Sequence, residues 1–154
     1  MLPLQPERWL QSAVRYLARF DRTTAQLERF LRNKGASPSQ AKQTVERLVE
    51  LKYVDDLAYA ERWIENRLNR KPVGRARLKA ELLARSVPES PAARAIQNVL
   101  DGIDEETLAR QALRARSRRG ASVSPQRVPQ LLRQWGFEDE TIERIMGEYT
   151  EPEG

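Results

Sequence analysis

A chain of 154 residues with no cysteine and no histidine can form no disulfide and offers neither thiol nor imidazole for catalysis or metal binding. Its residues are 40% hydrophobic and 32% charged, with a net charge of +5 and a mean hydropathy of −0.71, a balance suited to thin helical layers with much surface. The opening Met1-Leu2-Pro3-Leu4-Gln5-Pro6 lacks the charged head and apolar run of a signal peptide, and no apolar stretch reaches bilayer length, so a soluble cytoplasmic protein with no membrane contact is expected.

Apolar residues recur at spacings of three and four, which predicts helices throughout. In chain order they fall at 7–19, 24–34 and 38–51, then 56–69, 74–86 and 90–101, then 104–118, 125–135 and 139–149. Ser37-Pro38-Ser39-Gln40 places a serine cap before a proline at the first helical position, with a glutamine to close a capping box. Ser90-Pro91 and Ser124-Pro125 read as similar starts, and Thr23 with Gln26 as a weaker one. Tyr53-Val54-Asp55-Asp56 ends one helix and caps the next, since a carboxylate there accepts from free amides. Gly35 and Gly136 stand where a helix end needs a left-handed residue. Ser86 holds that place between them, so a tighter or differently shaped turn is expected there. Pro129 lies one turn inside the eighth helix; either that helix kinks or its regular part begins at the proline.

The nine helices repeat as three groups of three. Leu27, Leu78 and Val128 each open an apolar pair that closes at Leu31, Leu82 and Leu132, followed by Gly35, Ser86 and Gly136, at offsets of 51 and 50 residues. A period of this size marks a supersecondary unit used repeatedly, with neighbours covering faces that one unit cannot bury. The fold expected is all-α, with modules at 7–52, 53–102 and 103–150.

Charge is unevenly placed. Arg62, Arg67, Arg70, Lys71, Arg75, Arg77, Lys79 and Arg85 face only Glu65 and Glu81 in sequence, and five arginines lie between Arg110 and Arg119 without an acid. The C-terminal end is acidic. Candidate partner- or nucleic-acid-binding residues are therefore Arg70, Lys71, Arg75, Arg77, Lys79, Arg114, Arg116, Arg118 and Arg119, because guanidinium forks and ammonium groups suit phosphate or carboxylate. Solvated helix faces are the competing reading, preferred for Arg15, Arg19, Arg29 and Arg32. Trp9, Trp63 and Trp135 read as packing anchors rather than base platforms. No Walker loop or Gly-x-Gly-x-x-Gly occurs, and no catalytic, cofactor or metal residue is proposed.

The stretch Val45–Val87 resembles the RecX family of recombinase regulators, most recognisably at Tyr53-Val54-Asp55-Asp56 followed by Tyr59-Ala60-Glu61. Tyr16–Arg22 and Leu27–Gly35 are similar to the family's opening, and Trp135-Gly136-Phe137 with Ile142 to its closing repeat. The resemblance covers roughly residues 10–149. It implies an elongated, curved array of three tandem three-helix modules. It also implies binding to the RecA recombinase filament on single-stranded DNA, within the filament groove, restraining ATP hydrolysis and strand exchange. No catalytic residue comes with it, so the expected protein is a non-enzymatic, monomeric regulator that uses no cofactor. A stand-alone helical DNA-binding module and a purely structural scaffold are the alternatives.

Overall fold

The computed structural model describes residues 5–118 and 123–150, and every regular element among them is helical. The helices are α1 (Gln5–Arg19), α2 (Thr24–Asn33), α3 (Pro38–Glu50), α4 (Asp56–Arg70), α5 (Arg75–Ala84), α6 (Glu89–Val99), α7 (Glu105–Arg118), α8 (Val128–Gln134) and α9 (Asp139–Thr150). They form three tandem three-helix modules. In each, the third helix packs on both earlier ones: α3 on α1 and α2, α6 on α4 and α5, α9 on α7 and α8. The chain exposes 10010 Å². The buried residues divide between two clusters rather than one core, so the modules are laid out rather than balled up.

The repeated leucine pairs are buried as their spacing requires. Leu27, Leu31, Leu78, Leu82, Val128 and Leu132 are fully buried. The turn after each pair is the same three times. Ala36, Val87 and Phe137 donate their amides to the carbonyls of Leu31, Leu82 and Leu132 at 3.0, 3.1 and 3.0 Å. Gly35, Ser86 and Gly136 supply the left-handed residue at φ 111°, 70° and 87°. Ser86 thus builds the same turn as its glycine counterparts, not a tighter one. Burial of the residue after each turn against the core compensates the strain at its β-carbon.

Helix starts are partly as expected. Thr23 and Ser37 both complete capping boxes, with Gln26 and Gln40 respectively. Asp55 caps α4 by accepting from the Ala58 amide at 3.1 Å. The Ser90 cap is not made. α6 begins at Glu89 behind an extended Pro88, and Pro91 falls in the first turn, where amides lack intrahelical partners and a missing N–H costs little. The eighth helix is shorter than 125–135: a 3₁₀ turn at Pro125–Arg127 precedes α8, which starts at Val128 with Pro129 in its first turn. Regular helix thus begins one residue before the proline, close to the second of the two alternatives.

The buried residues form two clusters. One runs from Trp9 to Leu48 in the first module and takes in Val54 from the segment leading into α4. The other runs from Tyr59 to Ile145 and is shared by the second and third. These last two modules also meet backbone to backbone. The Gly74 amide donates to the Trp135 carbonyl at 2.9 Å and the Ala76 amide to that of Gly136 at 3.2 Å, so the free end of α8 satisfies the free start of α5. A β-carbon on Gly74 would come within 2.3 Å of the Gly136 oxygen. The first module is joined to the second by Val54, buried in the first cluster, and by polar contacts. Arg62 forks onto Asp21 at 2.8–3.0 Å, and Asp56 accepts from the Thr24 amide and hydroxyl at 2.8 and 2.7 Å.

Candidate partner and nucleic-acid interface

Local sequence leaves the basic residues of α4 and α5 short of acids; the fold supplies them. Arg75 pairs with Glu105 at 3.5 Å, Arg77 with Glu81 at 3.2 Å and Lys79 with Glu89 at 2.9 Å. Arg77 also donates to the Gln134 carbonyl at 3.1 Å, across the junction of the second and third modules. Lys71 holds its ammonium 5.3 Å from the centre of the Trp135 ring. Four of the nine candidate residues are thus engaged within the molecule. Arg77 and Lys79 keep about two fifths of their surface while making these contacts, at 43% and 40% exposed.

At the centre of this group Arg67 forks onto Glu81 at 2.8 and 3.1 Å and donates to the Lys71 carbonyl at 2.9 Å, pinning the end of α4 to α5. Burial pushes the Glu81 carboxyl up, but the hydrogen bond and charge of Arg67, joined by Arg77, more than offset it, so Glu81 stays below the ordinary carboxylate value. Glu105 shows the reverse. Its side chain is only 9% exposed, and it accepts from the Glu138 amide at 3.1 Å. Burial is the largest influence and, despite that amide and Arg75, it leaves Glu105 above the ordinary value, with Glu138 and Glu106 adding repulsion.

The remaining candidates are outward. Arg70, at the end of α4, is exposed beside Trp63, Arg67, Glu81 and Arg85 in the α4–α5 cleft. The Arg85 guanidinium lies 5.4 Å from the Trp63 ring centre. Arg114, Arg116 and Arg118 are exposed along the last turns of α7, and no ion pair is formed by them or by Arg70 among the described residues. Arg119 lies outside the described residues. The neighbouring Arg110 differs, being held by Glu148 at 2.6 Å. The acidic C-terminal end is likewise partly neutralised, with Arg144 on Glu140 and Glu106 and Arg133 on Asp139.

Trp9 and Trp135 are packing anchors, each 5% exposed, and Trp63 is partly buried against the second core. Sequence reading missed the pairing of Trp63 with Arg85, because it joins two helices that only the fold brings together. It also missed Arg67 as the clasp of the basic cluster. Chemically the surface can bind anions by charge-assisted hydrogen bonds. Among the described residues no group of three acidic side chains is placed to hold a metal, and no helix is long and apolar enough to cross a membrane.

Two family models match, the RecX first three-helix domain over residues 10–48 and the RecX second three-helix domain over residues 55–96. The chain is 30% identical over 139 residues to the regulatory protein RecX of Treponema pallidum (strain Nichols), covering 90% of this chain and 84% of that one. It is 32% identical over 145 residues to the regulatory protein RecX of Thermobifida fusca, covering 92% and 78%. The crystal structure of RecX from Lactobacillus salivarius superposes with a TM-score of 0.81 at 20% identity, over 96% of this chain and 97% of that one, and so shares the fold. With two domain models matched in order and relatives alike over most of both lengths, the chain belongs to the RecX family.

Proposed function

We propose that this protein is a non-enzymatic cytoplasmic regulator of the RecA recombinase, acting as a monomer. It lies along the groove of the RecA filament on single-stranded DNA and restrains ATP hydrolysis and strand exchange. The modules at 7–52, 53–102 and 103–150 are the units that meet successive filament subunits. Likeness over nearly the whole chain to proteins called regulatory protein RecX carries the reading. The extended surface supports it, because a laid-out array can reach several subunits at once and gain avidity from repetition.

Arg70, Arg114, Arg116, Arg118 and Arg119 are the side chains assigned to acidic filament surface or DNA phosphate. Lys71, Arg75 and Arg77 act more through holding the second and third modules in register, and Lys79 through tying α5 to the start of α6 within the second. The test is titration of the protein into a RecA–single-stranded-DNA ATPase assay, with strand exchange followed in parallel. Inhibition that saturates below one protein per RecA is expected, and Arg70→Glu with Arg114→Glu and Arg118→Glu should shift it to at least about tenfold higher concentration. Unchanged hydrolysis and exchange at saturating protein defeat the proposal.

A further inference from the structure

The first module holds a cluster that its counterpart lacks. Tyr16 and Phe30 stack with ring centres 3.9 Å apart and planes 8° from parallel. One repeat later, 51 residues on, the same two positions are Arg67 and Glu81, whose ion pair ties α4 to α5. In the first module the aromatic pair stands in place of that ion pair and packs against the core. Phe20 extends the stack, 5.9 Å from Tyr16 and 46% exposed. The Arg22 guanidinium lies 4.7 Å from the centre of Phe20 and 5.6 Å from that of Tyr16, and Lys34 holds its ammonium 5.7 Å from Phe30.

These cations differ from the paired ones of the second module. Neither Arg22 nor Lys34 forms an ion pair among the described residues, and Nε of Arg22 is buried with no acceptor. The nearby Asp21 is already taken by Arg62. Residues 19–34 add Arg19, Arg29 and Arg32 against Glu28 as the other acid. Cations interleaved with an exposed ring are what an unpaired nucleic-acid strand requires, because bases stack on the ring while phosphates meet the charges. An acidic peptide would satisfy the cations but leave Phe20 without a role.

We propose that Tyr16, Phe20, Arg22, Phe30 and Lys34 form a single-strand nucleic-acid site on the first module, with Phe20 the base platform and Arg22 and Lys34 the phosphate contacts. The site is separate from the arginines of α4 and α7, and its test involves no recombinase, so its failure leaves the filament reading standing. The experiment is fluorescence anisotropy of a labelled oligothymidylate with the full chain across a salt series. Phe20→Leu should weaken binding about tenfold and leave the salt slope unchanged. Arg22→Gln and Lys34→Gln should each weaken it and lower the slope by about 0.7. Lys34→Gln lies outside the ring stack, and thermal melts of each variant check that the fold is kept. The proposal is overturned if folded variants bind like the parent, or if a polyglutamate peptide competes more tightly than the oligonucleotide and loses that binding with Arg22→Gln.

Discussion

Ser86 and Gly136 occupy equivalent turns and ask for opposite substitutions. At φ 70° the β-carbon of Ser86 is strained, and a left-handed residue other than glycine costs roughly 1 kcal/mol. Ser86→Gly should therefore stabilise the protein by about 1 kcal/mol, a rise in Tm of about 2–4 °C at this chain length. Gly136 is also left-handed, and its missing β-carbon leaves room for Arg77, whose Cβ would otherwise lie within 2.3 Å. Gly102 has φ 77° with nothing near its missing β-carbon. Gly102→Ala isolates the backbone strain, about 1 kcal/mol, whereas Gly136→Ala adds a clash between modules and should cost about 3 kcal/mol or more. Urea unfolding of the three variants checks the order; equal losses at Gly102 and Gly136 would contradict the close junction.

At the scale of the element, helices are joined by carboxylates whose titration runs in opposite directions. Glu81 is held below its ordinary value, so its contribution to stability is present above about pH 4.5 and is lost as pH falls through its folded value. Glu105 is raised, so its charged form opposes folding: stability is fullest below the ordinary value and declines as pH rises through the folded one. Glu81→Gln should destabilise by about 1 kcal/mol at neutral pH, with the difference vanishing in acid. Glu105→Gln should stabilise at neutral pH, again with no difference in acid, since glutamine keeps an acceptor for the Glu138 amide. Unfolding measured at neutral pH and again below the lowered folded value of Glu81 separates the two signs.

Those acids also mark where sequence reading stopped. The helices, the leucine pairs and the glycine turns were legible because each depends on residues three to five apart. Glu105 reaches Arg75 from another module, and Glu89 reaches Lys79 across a turn, so no local window could show that the basic segment was already paired. The Ser90 cap failed for a related reason: Pro88 set the helix start two residues earlier than the serine suggested. The aromatic cluster was invisible because Tyr16, Phe20 and Phe30 come from two helices and the connector between them. Arg114, Arg116 and Arg118 form no ion pair among the described residues, in keeping with the absence of acids around them in sequence.

Across the whole molecule, unequal joints follow from what each interface buries. The second and third modules share a core and a glycine contact; the first is attached by Val54, by Arg62 on Asp21 and by Asp56 on Thr24. A laid-out protein with one firm and one polar joint is suited to following a helical polymer, touching more subunits than a globule of equal mass could. An image reconstruction of the protein bound to RecA filaments on single-stranded DNA tests that claim most directly. The account predicts density for all three modules lying within the groove and contacting at least two neighbouring RecA subunits. Density confined to a single subunit or to the filament end, or none on filaments at saturating protein, would contradict it.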